Sequence, residues 1–213
     1  MLVKVCGLKE SENIRLVAAL PQVDLIGLIF YPRSHRYVDS PEVAETVAGL
    51  KSKCVVGVFV DETLEEVLRH CDEYHLDGVQ LHGHESPDYL LSLQRHLPSG
   101  VSLIKAFSIG SEDDLLALSG YEGLCSYFLF DTPTGGHGGS GRTFDWQLLS
   151  RYAGKTPFFL SGGIGPESVA ALQSFHHPQW AGIDLNSRFE EAPGRKNIEL
   201  LTQFLHQIKQ VLP

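Results

Sequence analysis

Eight short apolar runs recur along the chain at nearly even spacing, and this constrains the fold more than any other feature. The runs end near Cys6, Phe30, Val60, Leu81, Ala106, Phe130, Leu160 and Leu185, each end 21 to 30 residues after the one before. Segments such as Ile26-Gly27-Leu28-Ile29-Phe30, Val55 through Val60 and Tyr127-Phe128-Leu129-Phe130 are rich in β-branched or aromatic residues, as strands are. They are apolar on both faces, which suits parallel strands covered from both sides. Helical spacing fills the intervals. Leu64, Val67, Leu68 and Cys71 fall at i, i+3, i+4, i+7; Leu90, Leu93 and Leu97 follow Ser86-Pro87, a cap with Pro at the first helical position. Pro166 starts a helix carrying Val169 and Leu172, and Ile198, Leu201, Leu205 and Ile208 stripe the last one. Strand then helix, eight times in about 26 residues each, predicts right-handed βαβ units closed into a small (β/α)8 barrel of the TIM-barrel class. A doubly wound open sheet of five or six strands fits the count less well.

The length of 213 residues is spent on those eight units, so residues 1–213 read as one domain with no linker. No apolar stretch reaches 18 residues, which speaks against a membrane-spanning helix, and Met1 to Cys6 does not resemble a signal peptide. Cys6, Cys54, Cys71 and Cys125 lack C-x-x-C spacing and do not look like a secreted disulfide framework; the expected compartment is the cytoplasm. A net charge of −9 and a pI near 5.5 disfavour nucleic acid as a partner. A single phosphate held by backbone N–H groups remains compatible with that charge.

Chemistry in such a barrel belongs at the C-terminal ends of the strands. Gly162-Gly163 follows strand seven and Asn186-Ser187 follows strand eight, before a possible short extra helix. Loops seven and eight are the usual phosphate cradle; the plain alternative is that the glycines only make a turn. Cys6 ends strand one with Gly7 behind it and Lys4 two residues earlier on the same face. A nearby ammonium lowers a thiol pKa, so Cys6 can serve as a base, or it can be a small buried hydrophobe as expected of Cys54, Cys71 and Cys125. Asp131 follows Phe128-Leu129-Phe130, an apolar wall that would keep its carboxyl protonated as an acid; an N-cap or loop salt bridge is the alternative. Arg36 can clamp a carboxylate or be a solvated loop charge. His82 and His84 have no third ligand in view, so no metal is expected, and His176-His177 reads as an inert surface turn. The Gly-rich segment 135–141 is the candidate lid.

The ordered set Lys4-Val5-Cys6-Gly7-Leu8, Phe30 through Tyr37, Val79-Gln80-Leu81-His82-Gly83, Gly138 through Trp146 and Leu160 through Ile164 resembles the phosphoribosylanthranilate isomerase family of tryptophan biosynthesis, from Val3 to about Asn197. The resemblance implies an Amadori rearrangement of the small-molecule substrate N-(5-phosphoribosyl)anthranilate to 1-(2-carboxyphenylamino)-1-deoxyribulose 5-phosphate. It implies that Asp131 is the general acid on the furanose oxygen and Cys6 the general base at the ribose C2. It also implies that Arg36 holds the anthranilate carboxylate and Asp184 lies near the ribose. No cofactor is implied, since the iminium is the electron sink, and a monomer or homodimer is expected. One departure stands out: the family often has Ser-Ser-Gly after the strand-eight Asp, where this chain has Asn186-Ser187-Arg188. Arg188 therefore either points to solvent or meets the phosphate directly.

Two other classes of function fit these residues less well. Indole-glycerol-phosphate synthase would want a lysine at the strand ends, whereas Lys4 and Lys105 lie within strands, and ribulose-phosphate epimerase would want more metal-ligating His and Asp. A silent phosphate-binding barrel has no need of both Cys6 and Asp131.

Overall fold

A computed structural model describes residues 1–131 and 146–209. Eight parallel strands close into one barrel in chain order: β1 (Leu2–Cys6), β2 (Leu25–Ile29), β3 (Cys54–Phe59), β4 (Gly78–Leu81), β5 (Ser102–Ser108), β6 (Tyr127–Asp131), β7 (Phe158–Ser161) and β8 (Trp180–Leu185). The ring is sealed where β1 pairs with β8, Lys4 lying opposite Asp184. The helices are α1 (Ser11–Ala18), α2 (Pro41–Ala48), α3 (Leu64–Glu73), α4 (Pro87–Gln94), α5 (Glu112–Leu116), α6 (Val169–Ser174) and α7 (Ile198–Lys209).

Each strand divides its residues between two surroundings, because successive side chains point to opposite faces. Outward-facing Val5, Leu28, Phe59, Leu81, Phe130 and Leu160 pack under the helices in the large outer core. Inward-facing Leu25, Val56, Ile104, Ala106, Leu129 and Phe159 form a second, separate cluster that fills the lower half of the barrel. Burying a side chain such as Leu or Phe fully is worth roughly 1.5–3 kcal/mol, so both layers hold the ring shut. Above the inner cluster the inward positions turn polar, with Lys4, Cys6, Gln80, Asp131, Ser161 and Asp184 all at or near the upper strand ends.

Local chemistry explains the helix starts. Thr63 and Ser86 accept from the backbone N–H of Glu66 and Tyr89 and so cap α3 and α4. Three expectations need correction. Among the described residues the interval after β6 holds a 3-10 segment, Trp146–Arg151, rather than an α-helix. Pro166 opens a 3-10 turn, Pro166–Ser168, and α6 begins only at Val169. Cys54 is exposed, not buried, because it is the first residue of β3 at the lower rim; Cys71 is buried and Cys125 half-buried. After β8 the short extra helix is one 3-10 turn, Ser187–Phe189. A hairpin of β9 (Glu190–Ala192) and β10 (Arg195–Lys196) follows it. The segment 135–141, and with it the expected lid, lies outside the described residues.

Candidate active site

A cavity of about 350 Å³ opens at the upper ends of the strands. Cys6, Asp131, Gly162, Gly163, Asp184, Asn186 and Ser187 all line it, so seven residues singled out from sequence meet in one place. Arg36 is not among its walls.

Cys6 is 3% exposed, and its position depends on a missing side chain next door. A Cβ on Gly27 of β2 would lie 2.7 Å from the Cys6 Sγ, too close for any methyl group, so glycine leaves the thiol its space. Lys4 is fully buried on the same face, and its Nζ donates to Asp184 Oδ1 at 3.0 Å. The expectation that Lys4 lowers the thiol pKa is half right. Lys4 and Lys196 do pull it down, but burial, with Asp184 adding to it, pushes the thiol above its ordinary value. Burial is the larger effect even with the Lys4 ammonium beside the thiol.

Asp131 ends β6 with its side chain 39% exposed. The expected apolar wall is mostly elsewhere. Phe128 and Phe130 point outward, where Phe130 packs on Tyr152 and Phe158, and only Leu129 shares the inner face with Asp131. What lies beside the carboxylate is His82, whose Nε2 is 3.5 Å from Asp131 Oδ2. The Gln80 side-chain N–H donates to His82 Nδ1 at 3.0 Å, which leaves the ring proton on Nε2, facing Asp131. Gln80 is 1% exposed, and its Oε1 has no hydrogen-bond partner among the described residues. A buried carbonyl oxygen without a donor costs roughly 1–3 kcal/mol, and Gln80 lines the cavity.

The far side of the cavity is built from loops seven and eight. Gly162 and Gly163 have φ of +80° and +68°, a conformation that glycine adopts without strain, so their peptide groups line the wall with no side chain between. Arg188 sits on the rim, 55% exposed, with its Nη2 donating to Glu167 Oε1 at 2.5 Å. Its side chain thus ties loop eight to loop seven.

Arg36 differs most from its expected state. Its guanidinium is already paired, Nε to Glu190 Oε1 at 2.8 Å and Nη2 to Glu190 Oε2 at 2.6 Å. Lys196 Nζ approaches the same carboxylate at 2.7 Å and also donates to Asn186 Oδ1 at 2.8 Å. The β9–β10 hairpin brings Lys196 opposite Glu190, and α1 holds the hairpin: Asn13 exchanges two hydrogen bonds with the Lys196 backbone. Burial works against the Glu190 charge, but Arg36 and Lys196 outweigh it and bring the carboxyl down to about 2 from 4.5. Folded Glu190 therefore holds its proton less tightly than unfolded Glu190. The stability it contributes is complete above pH 4.5 and is lost as pH falls toward 2. Melting temperatures measured between pH 6 and 3 should fall less steeply for Glu190→Gln than for the parent chain; parallel slopes would refute the linkage.

From sequence, Gln80 and His82 stand out only in the motif at the end of strand four, His82 also as a rejected metal ligand, and no role is assigned to Gln80, Glu190 or Lys196. Gln80 and His82 carried a usable signal, since they sit two apart at the end of β4 and so share the inner face. Lys196 and Glu190 carried none, because a two-residue strand in a hairpin has no periodicity to read. Lys105 is buried in an ion pair with Glu85 at 3.1 Å on the outer side of the barrel, consistent with its exclusion from the site. His177 contacts the Tyr152 carbonyl at 3.0 Å and packs on Phe158.

The family model for N-(5'-phosphoribosyl)anthranilate (PRA) isomerase matches residues 3–207. The chain is 50% identical over 210 residues to the N-(5'-phosphoribosyl)anthranilate isomerase of Parabacteroides distasonis, covering 98% of this chain and 93% of that one. It is 47% identical to the protein of that name from Phocaeicola vulgatus over 212 residues, covering 99% and 98%. Among solved structures, phosphoribosyl anthranilate isomerase from Thermotoga maritima superposes with a TM-score of 0.83 at 32% identity, with 99% of each chain covered. A phosphoribosyl anthranilate isomerase bound to reduced 1-(o-carboxyphenylamino)-1-deoxyribulose 5-phosphate superposes with a TM-score of 0.82 at 29% identity, covering 99% of this chain and 100% of that one.

Proposed function

Because the chain belongs to the N-(5'-phosphoribosyl)anthranilate isomerase family, we propose that Cys6 and Asp131 are the base and acid of its reaction. The enzyme carries out the aldose–ketose isomerisation of N-(5'-phosphoribosyl)anthranilate in tryptophan biosynthesis. The observation that carries the assignment is the single cavity that Cys6 and Asp131 share, one from β1 and the other from β6.

Asp131 gives its proton to the furanose oxygen; the C1–O bond breaks and the anthranilate nitrogen forms an iminium with C1. Cys6 as thiolate then takes the proton from C2, and those electrons neutralise the iminium to give an enolamine. C1 gains a proton as the C2 hydroxyl loses one, and the ketone results. A thiol held above its ordinary pKa is a stronger base once ionised, and the iminium supplies positive charge at the moment the thiolate is needed. Gln80 Oε1 accepts from a ribose hydroxyl, which supplies its missing donor. His82, with its Nε2 toward Asp131, orients that carboxyl group.

Peptide groups at Gly162, Gly163, Asn186 and Ser187 hold the phosphate, the aryl carboxylate faces Arg36, and Asp184, fixed by Lys4, lies near the ribose. Arg188 stays with Glu167. An exposed ion pair is worth at most about 1 kcal/mol, so Arg188→Ala should raise KM less than about fivefold with kcat unchanged. A tenfold rise in KM would show instead that Arg188 turns to the phosphate. Residues 1–213 act as one catalytic domain in the cytoplasm, as a monomer or homodimer, with no nucleic acid as partner. The test is a fluorescence assay that follows loss of phosphoribosylanthranilate; full turnover by a chain lacking either Cys6 or Asp131 would overturn its assignment.

A further inference from the structure

Resting on the reading that Arg36 meets the aryl carboxylate, we propose that Glu190, locked by Lys196, is the positioning residue that aims Arg36 at it. A guanidinium has five N–H donors in two usable forks, one side-on through Nε and Nη2, the other end-on through Nη1 and Nη2. Glu190 takes the side-on fork with bonds of 2.8 and 2.6 Å. The end-on fork is left for a second carboxylate, so Glu190 does not compete with the substrate for the same hydrogens.

The place of the fork is also set. The Arg36 side chain crosses directly over Gly7, where a Cβ would fall 2.6 Å from Arg36 Cδ and 2.8 Å from Asn186 Oδ1. Gly7 follows Cys6, and Asn186 is a wall of the cavity, so the arginine's stem passes beside that wall, between loops two and eight. Gly7 has φ of +74°, and any side chain there would displace the arginine.

Lys196 completes the arrangement. One arginine and one carboxylate alone form a neutral pair with little pull on another anion. The Lys196 ammonium on the same carboxylate leaves the trio with one net positive charge beside the site. It also bonds Asn186, which joins the trio to the loop proposed for the phosphate. The hairpin is pinned to α1 through Asn13, so neither Glu190 nor Lys196 is free to follow Arg36 if it swings. A preset fork avoids the entropy of ordering a long side chain when the carboxylate arrives.

The test compares two inhibitors: reduced 1-(o-carboxyphenylamino)-1-deoxyribulose 5-phosphate and the same compound without the ring carboxylate. For Glu190→Gln, inhibition by the first should weaken about tenfold or more while inhibition by the second changes less than about twofold. Lys196→Gln should show the same split, which guards against a single variant that folds poorly. A merely structural role would weaken both compounds equally, and tighter binding of the carboxylate compound would mean that Glu190 competes with it; either result overturns the inference. Arg36→Met separates this failure from that of the underlying reading. If Arg36→Met keeps the preference for the carboxylate compound, Arg36 does not read the carboxylate and both fall. If Arg36→Met loses the preference and Glu190→Gln keeps it, only the role of Glu190 falls.

Discussion

Asp131→Asn is expected to lower kcat by between about a hundredfold and ten-thousandfold, with KM changed little. Asn fills the same space at the end of β6 and can still accept from His82, so the geometry of the mouth survives. On the proposed assignment it has no proton to give the furanose oxygen, and ring opening loses its acid. The side chain is 39% exposed and, among the described residues, its ion-pair partner is His82 at 3.5 Å, so the fold should lose little. Thermal melting of the variant should stay within a few degrees of the parent while steady-state turnover collapses. A kcat within threefold of the parent would remove Asp131 from the mechanism.

Cys6→Ser should cost about a thousandfold in kcat. The hydroxyl is smaller than the thiol and clears Gly27 without strain, yet it ionises far less readily and cannot act as a base near neutrality. The pH profile makes the test sharper. Lys4, Lys196 and Arg36 favour the thiolate and Asp184 opposes it, but burial dominates and holds the thiol above its ordinary pKa. The thiolate is then a minor species at pH 7, and the rate at which iodoacetamide inactivates the parent should keep rising as pH increases past neutrality. Residual activity of Cys6→Ser should lack that sensitivity. A parent inactivation rate that is flat from pH 7 to 9, or one that Cys6→Ser reproduces, would assign the base to another group.

The barrel was legible because eight buried strands leave eight apolar runs, and each run ends within about two residues of a strand end. Helix caps such as Ser86-Pro87 were legible for the same local reason. The 3-10 segment at Trp146–Arg151 was not, since apolar spacing over one or two turns does not distinguish it from an α-helix. In the site, position along the chain was easier to read than surroundings. Cys6, Asp131, the Gly162-Gly163 pair and Asn186-Ser187 followed from where strands end. The state of Asp131 did not, because three apolar neighbours in sequence put two side chains on the opposite face. The pairing of Arg36 with Glu190 spans 154 residues, and no local pattern announces it.

The inner cluster of Leu25, Val56, Ile104, Ala106, Leu129 and Phe159 closes the barrel beneath the polar layer. The site therefore has a floor, and the Lys4–Asp184 pair rests just above it. Among the described residues the proposed site opens at the top of the barrel, and on that reading substrate and product share that doorway. Traffic through it is one molecule at a time: a product that lingers blocks the next substrate, and release can set the pace as firmly as either proton transfer.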